Sequence, residues 1–124
     1  MTDLYIASTQ DTPEVNFSIT NNLFEISGRS LPENGKTFFE PVIGWLSEYL
    51  KTPSSTTTFV FKLQYFNSSS SKQLYHIIYL LQQFYEAGGD IKIKWMYQQD
   101  DELMFEEGEQ FEDMFYVPIE LVSY

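Results

Sequence analysis

The chain has 124 residues and a mass of 14.6 kDa, with 43% hydrophobic, 18% aromatic and 20% charged residues. That is one domain's worth of chain, and scaling laws give it a folded surface of roughly 6,900 Å² against roughly 21,000 Å² extended, so a core forms without staples. Absence of cysteine excludes disulfides, thiolate metal sites and thiol catalysis, the single His76 excludes a multi-histidine metal site within one chain, and a net charge of −11 disfavours nucleic acid and anionic lipid surfaces.

Met1–Thr12 has neither a basic region nor an apolar run, and no stretch approaches 18 uninterrupted apolar residues. No secretory signal and no membrane insertion are expected, and a cytoplasmic location is the default. Leu4-Tyr5-Ile6 is a brief apolar run. Glu14 to Ile19 alternates strictly, with Val15, Phe17 and Ile19 on one face. Thr20-Asn21-Asn22 can turn the chain, because asparagine tolerates positive φ, and Leu23 to Gly28 resumes the strand rhythm. These pieces predict an N-terminal β-hairpin.

From Thr37 the pattern becomes helical, with Asn34 as a candidate cap and Phe38, Val42, Trp45, Leu46 and Tyr49 as the apolar stripe. Pro41 inside this run should kink the helix or restart it. Lys51-Thr52-Pro53-Ser54-Ser55 should end it. The strongest strand is Thr56–Phe66, expected at the centre of the sheet, with Phe59, Phe61, Leu63 and Tyr65 on one face and Thr58, Val60, Lys62, Gln64 and Phe66 on the other.

Asn67 and four consecutive serines lead into a helix over Ser69–Ala87, whose Leu74, Ile77, Ile78, Leu81 and Phe84 form a helical stripe that Gly88-Gly89 should stop. Ile91–Tyr97 alternates as a strand. Asp100–Asp113 is acidic and reads as a helix, with a possible break at Gly108, and residues 95–124 contain no Lys or Arg. Pro118 restricts the last apolar piece to an edge strand or an extended tail. The order β, β, β, α, β, α, β, α and an extended end predicts a single α/β domain over residues 1–124, with a mixed sheet and crossover helices. Its core should hold Phe59, Phe61, Leu63, Leu74, Ile78, Leu81 and Trp45.

The serine run sits where a strand feeds a helix. Serines there can cap the helix, or one can accept a phosphate that the free N–H groups of the first turn then stabilise, with Lys72 within one turn. His76, between Tyr75 and Tyr79, reads as a surface or half-buried histidine rather than a catalytic base. The acidic run lacks calcium-loop spacing and reads as a solvated helix face or a docking surface that steers a basic partner. Gly88-Gly89-Asp90 lacks the residues that follow in cyclase motifs, and a helix C-cap explains it. With no phosphate loop, dinucleotide fingerprint or nucleophile elbow, no enzyme, no cofactor and no metal are expected. A small metal-dependent enzyme built on the acidic cluster and a generic interaction domain are the rival readings.

Four segments carry a resemblance: Leu4-Tyr5-Ile6…Thr9…Thr12-Pro13-Glu14, Gly28-Arg29-Ser30-Leu31-Pro32-Glu33-Asn34, Phe39-Glu40-Pro41-Val42-Ile43-Gly44-Trp45-Leu46, and Leu63-Gln64-Tyr65-Phe66-Asn67-Ser68-Ser69-Ser70-Ser71-Lys72. Together they make the chain similar to the SiaC-type bacterial regulatory phosphoproteins from about Leu4 to about Glu112. The resemblance implies a fold similar to STAS domains, the anti-sigma-factor antagonists. It also implies a phospho-acceptor at Ser68, with Ser69 as runner-up and Asn67, Ser70 and Lys72 as supporting or partner-contact residues. The implied partners are a serine/threonine kinase, a PP2C-type phosphatase and a GGDEF-type diguanylate cyclase that the unphosphorylated form activates, promoting cyclic di-GMP signalling and biofilm. An anti-sigma-factor-antagonist-like regulator with no cyclase partner is the alternative. This chain departs from the family in having serine where threonine is common at 68, and Ser71 where an apolar residue is usual.

Overall fold

A computed structural model describes residues 1–53 and 56–124; Ser54 and Ser55, which the sequence assigns to the end of the first helix, lie outside the described residues. The elements follow in the order β1 (Leu4–Ile6), β2 (Glu14–Ser18), β3 (Leu23–Ser30), α1 (Gly35–Tyr49), β4 (Thr57–Phe66), α2 (Ser68–Glu86), β5 (Ile91–Tyr97), α3 (Glu102–Met114) and β6 (Ile119–Ser123). The strands form one six-stranded sheet in sequence order. β1–β2 and β2–β3 are antiparallel, and the later pairs are parallel. The mixed α/β architecture with an N-terminal hairpin is as expected, and Asn22 takes the positive φ, 51°, that its turn demands.

Consecutive parallel strands advancing one way need right-handed crossovers, which put all three helices on one face. The register shows which face they cover. Leu4, Phe17, Phe24, Phe59, Ile93 and Ile119 form one row across all six strands, and Ile6, Val15, Ile26, Phe61, Trp95 and Leu121 form the next. Nine of these twelve side chains are buried. The row between them, Tyr5, Asn16, Glu25, Val60, Lys94 and Glu120, points the opposite way, as period-two geometry requires. The accessible surface is 6887 Å², the size expected of one domain of this mass.

Four local expectations change. In α1 the buried stripe is Gly35, Phe39, Val42, Leu46 and Tyr49, so Phe39 rather than Phe38 faces the core. Trp45 is half-buried instead of central: its indole nitrogen donates to the Thr2 carbonyl at 2.8 Å, and its ring stacks on Tyr49. An indole N–H needs a partner, and the surface rim supplies one. α1 runs through Pro41 without restarting; both Pro41 and Thr37, whose carbonyl loses its helical donor, are exposed.

At the end of β4, Leu63 pairs with Gly28 but Tyr65 pairs with Arg29, leaving Gln64 as an extra residue. This bulge reverses the alternation. Tyr65 turns to solvent and Phe66 turns inward against Trp95, ring centroids 6.1 Å apart. Gly28, with φ 101°, accommodates the shift on β3.

Other expectations hold. Gly89 and Gly88 close α2 by donating to the Phe84 and Tyr85 carbonyls, a Schellman ending with Gly88 at φ 95°. β6 begins directly after Pro118 and is an edge strand. One more expectation changes: the break at Gly108 is absent and α3 runs through it, the glycine serving instead as the seat of the Trp95 indole, since a Cβ at 108 would lie 2.4 Å from Trp95 Cδ1.

Candidate functional site

The bulge sets the direction in which the chain leaves β4, and α2 starts two residues after Phe66. Asn67 is the N-cap. Its Oδ1 accepts from the Ser70 amide at 2.9 Å, and its Nδ2 donates to the Pro32 carbonyl at 3.1 Å. Its own amide donates to the Ser30 carbonyl at 3.0 Å. One asparagine therefore caps α2 and ties it to the segment that leads into α1. The capping expected of Ser68 or Ser69 is corrected: an asparagine carboxamide both accepts and donates, whereas a serine hydroxyl could not span to Pro32 as well.

The serines then face four different environments, fixed by helical rotation of about 100° per residue. Ser70 is fully buried; its hydroxyl meets that of Ser30 at 2.7 Å and the Ser30 carbonyl at 3.2 Å. Ser69 is half-buried and its Oγ accepts from the Gly35 amide, the first residue of α1, at 2.8 Å. Ser71 is half-buried between α2 and α3. Ser68 is exposed and its hydroxyl bonds to no other described residue. Lys72, one turn on, is exposed and enters no ion pair among the described residues.

Asn67, Ser68, Ser69, Ser70 and Lys72 are thus all within the first turn and a half of α2; among the described residues of the serine run, Ser68 is the exposed one with an unbonded hydroxyl, while Ser71, also unbonded, is half-buried. Two helix N-termini meet here, since Gly35 opens α1 against Ser69. Each contributes the positive end of a helix dipole. Across the entrance stands Glu107 of α3, which shares a cleft of about 270 Å³ with Phe66, Asn67, Ser68 and Ser71. The sequence gives no sign of that proximity, because 39 positions separate the two residues.

His76 is exposed and faces a shallow cleft between α1 and α2 with Lys36, Glu40, Ile43 and Gln73. Among the described residues no three His, Asp or Glu side chains converge as metal ligands, and no helix is long and apolar enough to cross a membrane. Tyr5 donates to Glu14 at 2.9 Å, and that carboxylate raises the Tyr5 pKa above its ordinary value.

Known proteins share this fold. A solved structure of SiaC of Pseudomonas aeruginosa matches with a TM-score of 0.92 and 27% identity, covering all of both chains. Another, of the diguanylate cyclase SiaD in complex with its activator SiaC from the same organism, matches with a TM-score of 0.93 and 28% identity over 98% of this chain and all of that one. An uncharacterized protein of Pseudomonas aeruginosa strain UCBPP-PA14 is 30% identical over 113 residues, covering 91% of this chain and 90% of that protein. The SiaC family of regulatory phosphoproteins matches residues 6–124, and the chain belongs to it.

Proposed function

We propose that this chain is a non-enzymatic partner-switch protein that, with Ser68 unphosphorylated, binds and activates a GGDEF-type diguanylate cyclase and so controls cyclic di-GMP and biofilm. A cognate serine/threonine kinase phosphorylates Ser68, and a PP2C-type phosphatase reverses it. The observation that carries this reading is the near-complete structural match to an activator solved in complex with a diguanylate cyclase. The exposure of Ser68, beside a buried Ser70 and a bonded Ser69, favours it as the acceptor.

The physical basis is a change of surface without a change of fold. Phosphate brings a charge of roughly −1.5 to −2 and three acceptor oxygens. The first-turn N–H groups and Lys72 offset part of that charge, so α2 stays folded. A partner surface closing over Ser68 must instead desolvate a dianion placed close to Glu107. A penalty of about 3 kcal/mol lowers affinity on the order of a hundredfold. Phosphopeptide mapping after incubation with the kinase, followed by cyclase binding, tests both halves. Wild type and Ser68→Ala should bind, and the phosphoprotein and Ser68→Asp should bind far more weakly. Phosphate only at Ser69 would move the acceptor; phosphate only outside Ser68–Ser71, or equal affinity of all four forms, would end the switch.

A further inference from the structure

We propose that the groove between α2 and α3 docks an apolar helix with a basic flank, supplied by the partner protein. The identity of that partner as the cyclase rests on the reading above; the groove itself does not.

The groove has a volume of about 310 Å³. Phe111, only 5% exposed, is its floor and packs on Trp95, ring centroids 5.4 Å apart. Tyr75 of α2 and Met114 of α3 are its walls, 47% and 57% exposed. Large apolar side chains this exposed on both sides of a recess suit a partner that fills it. Buried Gln82 of α2 accepts from the Tyr116 and Val117 amides at 2.8 and 2.7 Å, tying the chain directly beyond α3 to α2. Residues 71–75 and 107–114 line its two sides, giving a track of roughly 10 Å, or two helical turns, along α3 and about one turn along α2.

Charge decides the occupant. Beside the lining residues Glu107, Gln110 and Met114 lies a second stripe of α3, Glu106, Glu109 and Asp113, one position earlier in each case and exposed. The spacing i, i+3, i+7 makes these an acidic ridge along the solvent side of the groove. None of the three enters an ion pair among the described residues, and no Lys or Arg occurs from 95 to 124. Lys72, on the α2 side, is the one cation among the lining residues, so the basic stripe of a docked helix belongs over α3. A helix whose apolar face enters the groove and whose α3-facing stripe is Lys or Arg matches both features; an acidic helix or a nucleic acid meets the acidic ridge and is repelled. The cleft at Ser68 opens into this groove, because Ser71 and Glu107 line both. A phosphate at Ser68 would therefore stand at the groove's entrance.

The test uses the full chain. Amide NMR is followed during titration with a synthetic amphipathic peptide carrying leucines at i, i+4 and i+7 and a flanking lysine stripe. Shifts should centre on residues 71–75 and 107–114, and a peptide with glutamates in place of the lysines should bind at least tenfold more weakly. Met114→Asp and Tyr75→Ala should each weaken both the peptide and the cyclase at least tenfold, while Tyr79→Ala, exposed on α2 outside the groove, should not; undisturbed amide spectra elsewhere establish that the variants are folded. Peptide shifts on the opposite face of the sheet, or full cyclase affinity in Met114→Asp, would overturn the groove and leave the cyclase reading standing. A wild-type protein that takes the peptide in the groove but does not bind the cyclase supports the groove and removes the cyclase.

Discussion

Gly35→Ala and Gly44→Ala place the same substitution in the same helix and should have opposite effects. Gly35 opens α1 against the acceptor loop, and its amide donates to Ser69 Oγ at 2.8 Å. A Cβ built there lies 2.6 Å from that oxygen, 2.8 Å from the Ser69 carbonyl oxygen and 2.9 Å from its carbon. Two of these atoms are backbone, so no rotamer change relieves the clash. α1 and α2 must separate by roughly half an ångström or more, and overpacking of this kind costs about 1–3 kcal/mol. The gain in helix propensity, at most about 1 kcal/mol in a helix interior, is smaller at a first-turn position. The net loss should be about 1–2 kcal/mol, or roughly 4–8 °C in Tm for a chain of this length. Gly44 is exposed in the middle of α1, and a Cβ there meets nothing within 4 Å. Gly44→Ala should therefore stabilise by about 0.4–1 kcal/mol. Both variants restrict the unfolded chain alike, so their difference reports the native contact. Urea and thermal unfolding of the three proteins measures it. A Gly35→Ala protein as stable as wild type, or two variants shifted the same way, would refute a close α1–α2 contact at the serines.

Phe61→Ala removes a side chain that is 1% exposed, at the centre of the second core row, with Phe59 and Trp95 at ring distances of 4.9 and 5.4 Å. It should cost about 3–5 kcal/mol by urea denaturation, a large part of a typical domain's stability; a loss below about 1 kcal/mol would contradict β4 as a central strand. Tyr5 should titrate above its ordinary value near 10, because its neutral O–H donates to Glu14 and a phenolate there would face a carboxylate. The contact is then kept at neutral pH and lost as pH rises through the raised pKa. Glu14→Gln should bring the Tyr5 titration, followed by NMR, back down; an unchanged midpoint would show that the carboxylate is not the cause.

Patterning alone determined the order of the elements and most of the core, because burial on one face imposes period two on strands and a helical stripe on helices. The row Phe59, Phe61, Leu63 and the stripe Leu74, Ile78, Leu81 are legible for that reason, as is the end of α2 at Gly88-Gly89. The resemblance marked the Ser68 region, and a serine-rich stretch between a strand and a helix is a local signal. Tertiary structure decided what local periodicity does not encode. The bulge at Gln64, which turns Tyr65 out and Phe66 in, depends on the pairing of β4 with β3. The different environments of Ser68, Ser69 and Ser70 depend on Gly35 and Ser30, more than thirty positions away. Asn67 outcompetes the serines as cap because Pro32 gives its amide group a second partner. Gly108, which reads as a helix break, is a seat for Trp95 from a different element. In each case the deciding contact joins segments far apart in sequence, and only the packed chain brings them within bonding distance.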